Sequence, residues 1–131
     1  MSERISGDVF GKLYSPPIAS NLQIPTSIEN SAKWMHERVV RSINSFEEQL
    51  DQEHEVGARL VNFGLEMTFH IEDVGYWGPD IITFYGMDQE GNNVELLQHI
   101  SQLSVLLVAL KKVRDEPRRI GFALMESVEN D

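Results

Sequence analysis

The residues able to carry acid–base or ligand chemistry are four histidines, 21 carboxylates and a pair of adjacent arginines. Their spacing decides what they can do. His36 and Glu37 begin like the zinc-protease motif H-E-x-x-H, but the second His would stand at position 40, which is Val40. Glu53, His54 and Glu55 offer oxygen and nitrogen ligands, yet consecutive helical residues point apart and do not converge on one ion unaided. Asp88, Glu90 and Asn92 suggest a calcium loop, but the required glycine falls at 91 instead of 93 and His99 stands where Glu is needed. A hairpin turn accounts for those residues better. His70 lies between Glu66 and Glu72, where carboxylates favour its protonated form, and a solvated strand face is the simpler account of it. No metal centre is expected.

Covalent and phosphate chemistry fare no better. None of the nine glycines falls into G-x-x-x-x-G-K-[ST] or G-x-G-x-x-G, and no G-x-S-x-G is present. The chain has no Cys, so disulfides, thiolate zinc sites, iron–sulfur clusters and Cys nucleophiles are excluded, which fits a reducing cytosol. No catalytic residue and no cofactor is expected. Two segments are richer than a fold requires. Gly75-Tyr76-Trp77-Gly78-Pro79-Asp80 places two large aromatics in a turn, where they either contact a partner or fold back on the core. Glu116-Pro117-Arg118-Arg119-Ile120-Gly121-Phe122 sets two arginines before an apolar run, for carboxylate or phosphate recognition or for ion pairs to the acidic excess. Tyr76, Trp77, Asp80, His99, Arg118 and Arg119 are therefore the candidate binding residues.

The elements that must position them are read from periodicity. Residues 1–30 mix Gly, Ser and prolines with scattered apolar residues such as Phe10, Leu13, Tyr14, Ile18, Leu22 and Ile24, and read as an extended arm. Residues 31–126 read as a single domain and 127–131 as a tail. Asn30 or Ser31 caps a helix whose apolar face is Met35, Val39, Ile43, Phe46 and Leu50, ending near Glu55 because Gly57 follows. Val61 to Ile71 alternates apolar and polar residues as one long strand. Ile81–Tyr85 and Val94–Leu97 follow as strands, the second after an Asp88–Asn93 turn. Ile100, Leu103, Leu106, Leu107, Leu110 and Val113 mark a second amphipathic helix with cations at its C-terminal end. Ile120–Met125 reads as a last strand. The expected fold is α+β: an antiparallel sheet of three to four strands with two amphipathic helices on one face, in the order α-β-β-β-α-β.

Composition bounds the partners. A chain of 131 residues fits one core, and its net charge of −10 disfavours binding to a phosphate backbone. The longest apolar stretch, Val105 to Leu110, is far short of the roughly 20 residues that cross a bilayer, and the N-terminal residues lack the pattern of a secretory signal. Neither nucleic acid nor membrane is an expected partner. Bases crowd into Lys111, Lys112, Arg114, Arg118 and Arg119, and acids into Glu47, Glu48, Asp51, Glu53 and Glu55. These clusters are either solvated helix ends or attract each other within or between protomers.

Four blocks, Phe46-Glu47-x-Gln49-Leu50-Asp51-x-Glu53-His54-Glu55, Pro79-Asp80-Ile81-x-Thr83-Phe84-Tyr85-Gly86, Gln98-His99-x-Ser101-Gln102-Leu103 and Glu116 to Phe122, together resemble a bacterial family, domain of unknown function 6173. The likeness spans about Trp34 to Phe122 and supplies no activity. It implies a bacterial source and a stand-alone cytosolic domain. It also draws attention to Gln98, His99, Ser101 and Gln102, whose first expected role is to bond the backbone at their junction. The functional expectation is a small acidic binding or assembly module without chemistry, acting through protein contacts and forming a homo-oligomer, in the first instance a dimer. The rivals are a small-ligand or enzymatic site near His99 and Arg118, and an acidic inhibitor or nucleic-acid mimic that occupies a basic protein.

Overall fold

The computed structural model describes residues 30–62 and 65–130. The arm expected over residues 1–30 thus lies, Asn30 apart, outside the described residues, as do Phe63 and Gly64. Asn30 Oδ1 accepts from the N–H of Lys33 at 3.1 Å and caps α1 (Ser31–Glu47). A short acceptor there satisfies a first-turn N–H that has no partner within the helix. The buried stripe of α1 is Ala32, His36, Val40, Ile43 and Glu47, with the expected Met35, Val39 and Phe46 half-buried beside it. The rotation is possible because both polar members of the stripe find main-chain partners. Nε2 of His36 donates to the carbonyl of Val74 at 3.0 Å.

The sheet is antiparallel throughout, in the spatial order β4-β3-β2-β1-β5. β1 (His54–Asn62) and β2 (Leu65–Trp77) run against each other with Asn62 opposite Leu65. β3 (Ile81–Asp88) and β4 (Asn93–His99) continue the meander, and Glu72 is the extra residue where the β2–β3 register shifts. The β3–β4 turn is held by Asp88, whose Oδ1 accepts from the N–H of Glu90 at 3.0 Å and of Asn92 at 2.8 Å. Gly91 adopts φ +89°, a conformation that L side chains rarely take. The chain then turns through a short 3₁₀ segment, Ile100–Gln102, and returns at the far edge as β5 (Leu106–Lys111), paired with β1. The last element is α2 (Gly121–Glu129), which packs against α1.

Alternation assigns each residue to a face of the sheet. Val56, Ala58, Phe69, Ile71, Val74, Ile82 and Phe84 form the core beneath α1, joined by Ile120 and Leu124 from α2 and by half-buried Ile100, Leu103 and Val105. Among the described residues no helix is long and apolar enough to cross a membrane.

The α+β class with an antiparallel sheet and two helices is as expected, but there are five strands and their order is α-β-β-β-β-β-α. Three corrections produce the difference. The first helix stops at Glu47 and residues 54–62 form β1, so the single strand expected over Val61 to Ile71 divides, Val61 and Asn62 ending β1 and β2 beginning at Leu65. Gly57 is no helix cap but a strand residue, where an added Cβ would run into the Leu110 side chain and the Phe69 carbonyl. The run expected as a second helix is a 3₁₀ turn followed by β5. A short apolar run suits either state, and the open side of β1 decides it. The segment from Ile120 is a helix and not a strand: Phe122-Ala-Leu-Met-Glu126 are mostly good helix formers, and α1 supplies the missing cap.

Candidate functional site

That cap is Glu47. Ile120 at the start of α2 has no side chain able to accept, and the Glu47 carboxylate takes its place, accepting from the N–H groups of Ile120 and Gly121 at 2.8 Å each. Gly121 is needed for the approach, since a Cβ there would sit 2.6 Å from Asn44 Oδ1 and 2.7 Å from Glu47 Oε1.

Glu47 opens an acidic series that meets the basic cluster within one chain. Glu53 pairs with Lys112 at 3.3 Å and, loosely, with Lys111 at 3.9 Å. Glu55 is buried: Oε1 accepts from Nδ1 of His70 at 2.7 Å, and Oε2 accepts from the N–H of Arg118 at 2.7 Å. The Arg118 guanidinium reaches Glu72 at 3.4 Å. Arg119 donates to the carbonyls of His54 at 2.8 Å and Asp51 at 2.9 Å. His54 in turn binds Asp51 at 2.7 Å, and with the N–H of Glu53 it holds the Asp51 carboxyl below the usual carboxylate range. These bonds tie residues 112–121 onto α1 and the start of β1, the Arg119 side chain serving the carbonyls of Asp51 and His54 and the Arg118 side chain Glu72. His70 also departs from expectation. It is buried against Glu55 from the neighbouring strand instead of solvated between Glu66 and Glu72.

The remaining candidates gather at the Trp77 end of β2. Trp77 stands opposite Ile81, and Ile81 opposite His99. Trp77 is 61% exposed, whereas Tyr76 packs against His36, ring centroids 5.0 Å apart. His99 Nε2 lies 3.3 Å from Asp80 Oδ2, while its Nδ1 accepts from the N–H of Ser101 at 3.1 Å and faces the Ser101 hydroxyl at 2.8 Å. The proton of a neutral His99 therefore sits on Nε2. Gln98 Nε2 is 3.5 Å from the carbonyl of Gln102. This is the backbone-bonding role expected for the block. His99 and Arg118 do not converge: Glu72, the contact of Arg118, is five residues back along β2 from Trp77, roughly 17 Å of strand.

The site that sequence reasoning missed is the outer edge of β5. Lys112 donates to the carbonyl of Glu53 at 2.9 Å, so the alternation of an antiparallel ladder turns the N–H and C=O of residues 106, 108 and 110 toward β1. Those of Leu107, Ala109 and Lys111 point outward, where no further strand lies among the described residues. The strand reads Leu-Leu-Val-Ala-Leu-Lys, without proline or inward charge, and Leu106 is 58% exposed. Such an edge is a template for another chain. Beside it, on the α1 side of the sheet, lie two adjoining depressions of 450 and 490 Å³ that share Arg38, Ser42 and Leu107. Met35, Val39, Phe46, Phe84, Leu103 and Val105 supply their apolar walls, and Arg41, Ser45 and Gln49 their rim. The signal in the sequence was the charge-free run Leu103 to Leu110, legible only once it is placed at an edge.

Neither a curated protein nor a solved structure matches the chain. A family model does, over residues 26–123, which include α1, the whole sheet and the start of α2. The chain belongs to that family, the family of unknown function DUF6173.

Proposed function

We propose that this chain is a small intracellular binding module without catalytic activity, which engages a protein partner by strand addition at β5. The single observation that carries the reading is the apolar β5 edge, with three residues whose main-chain groups face outward. Main-chain hydrogen bonds from an added strand give affinity, and alternate side chains give selectivity. The fate of the charged candidates supports it as well. Glu47, Glu55, Arg118 and Arg119 are consumed in holding the C-terminal segment, and His99 in its turn. Exposed Trp77, at the end of β2, offers a second contact surface.

Ala109→Pro tests the reading. It deletes one outward N–H, a position where an edge strand tolerates proline. Native mass spectrometry on gently purified protein is expected to show wild type with a companion chain, a partner or a second copy, and Ala109→Pro without it at unchanged fold. A wild type that is a bare 14.9 kDa monomer overturns the reading, as does a variant that keeps its companion.

A further inference from the structure

Resting on the strand-addition reading, we infer that the groove between α1 and β5 selects an extended acidic peptide segment of a partner protein. In that segment apolar side chains alternate with Asp or Glu. Geometry supplies the first half of the argument. A sixth strand hydrogen-bonded to Leu107, Ala109 and Lys111 has every second side chain on the face that carries Leu107 and Ala109. That is the face on which α1 and the 103–105 segment leave the two depressions open, with Val39, Phe46, Phe84, Leu103 and Val105 to receive apolar groups.

Charge supplies the second half. The chain carries 21 acids against 11 bases, yet among the described residues no acid lines either depression, and the charged residues that do are Arg38 and Arg41. Arg38 lies over the Trp34 ring, 4.8 Å from its centroid, and makes no ion pair among the described residues. Among the described residues Arg41 pairs with Glu37 alone, in its own helix and in an exposed bond that a peptide carboxylate can replace. The end of β5 adds Lys111. A cationic rim over an apolar floor, beside strand donors and acceptors that no described residue pairs, fits a segment that is at once extended, apolar on one side and acidic on the other. A second copy of this chain fits less well, because β5 itself, Leu-Leu-Val-Ala-Leu-Lys, carries no acid to meet Arg38, Arg41 or Lys111.

The probe is a fluorescein-labelled decapeptide in which Val and Leu alternate with Glu and Asp, and its control replaces every acid by Lys. Fluorescence anisotropy with the full chain is expected to show saturable binding of the acidic peptide, weakened severalfold between 50 and 300 mM salt. The Lys control should bind at least tenfold more weakly. Ala109→Pro and Leu107→Glu are each expected to weaken binding at least tenfold and Arg38→Glu severalfold, at unchanged circular dichroism. If both peptides bind equally, or Arg38→Glu has no effect while Ala109→Pro abolishes binding, the acidic selectivity is overturned and strand addition survives. If neither peptide binds, the peptide groove is overturned. Amide exchange at Leu107, Ala109 and Lys111 covers the other occupants: these amides should exchange fast in the free chain and slowly with peptide. Slow exchange without peptide, in a monomer or a dimer, overturns the proposal in favour of the chain's own segment or a second copy.

Discussion

Removing the carboxylate of Glu47 tests the central claim about how the C-terminal segment is held. In Glu47→Ala two N–H groups, those of Ile120 and Gly121, lose charged acceptors at 2.8 Å in a site where Glu47 is 8% exposed. A buried donor left unsatisfied costs about 1–3 kcal/mol. The helix start can draw in water after the truncation, which reduces the pair to about 2–4 kcal/mol in total. At roughly 4 °C per kcal/mol for a domain of this size, the melting temperature should fall by about 8–16 °C. Glu47→Gln keeps one acceptor and loses the charge, and should fall by about half as much. The sign discriminates between accounts. Glu47 is also the last residue of α1, where an acid opposes the helix dipole, so a merely superficial Glu47 would make Glu47→Ala slightly more stable. Thermal and urea denaturation followed by circular dichroism measure the difference. A melting temperature within about 2 °C of wild type, or above it, would refute the cross-helix cap.

Two further outcomes follow from single side chains. Thr83 is fully buried and its hydroxyl has no hydrogen-bond partner among the described residues, so Thr83→Val, which keeps the shape, should be neutral or stabilising by up to about 1 kcal/mol in urea denaturation; a loss of that size would show that the hydroxyl is satisfied after all. Asp88 is held below the ordinary carboxylate range chiefly by the N–H of Asn92. A depressed folded-state pKa gives stability that is present above the unfolded value, about 3.9, and is lost as pH falls through the folded one. Wild type should therefore exceed Asp88→Asn in urea midpoint at pH 7 and lose that advantage progressively below about pH 4. A difference independent of pH would contradict this account of the turn.

Much of the fold lay in local pattern. The α1 cap at Asn30, the alternating stretch of β2, the Asp88–Asn92 turn and the helix-to-strand mixture follow from spacing and turn chemistry, which act between near neighbours and are written in order along the chain. So did the hydrogen-bonding role of the Gln98–Gln102 block, and the separation of acids and bases into two clusters. Which cluster partner each residue takes was not legible, because Glu55 meets Arg118 across 63 positions of sequence and Glu47 meets Ile120 across 73.

Only the tertiary structure decided the rest. Gly57 looks like a helix stop until β5 lies against it and leaves no space for a Cβ. The run around Leu106–Leu110 satisfies a helix and a strand equally, and becomes a strand because β1 offers unpaired hydrogen-bonding groups along its open side. Ile120 to Met125 becomes a helix because a carboxylate from another helix completes its first turn. In each case the local free-energy difference between the two states is a few tenths of a kcal/mol to about 1 kcal/mol per residue, and one long-range contact or cap is enough to reverse it. The candidate interaction surface exists for the same reason. An edge is a property of the sheet, and no residue of β5 carries it alone.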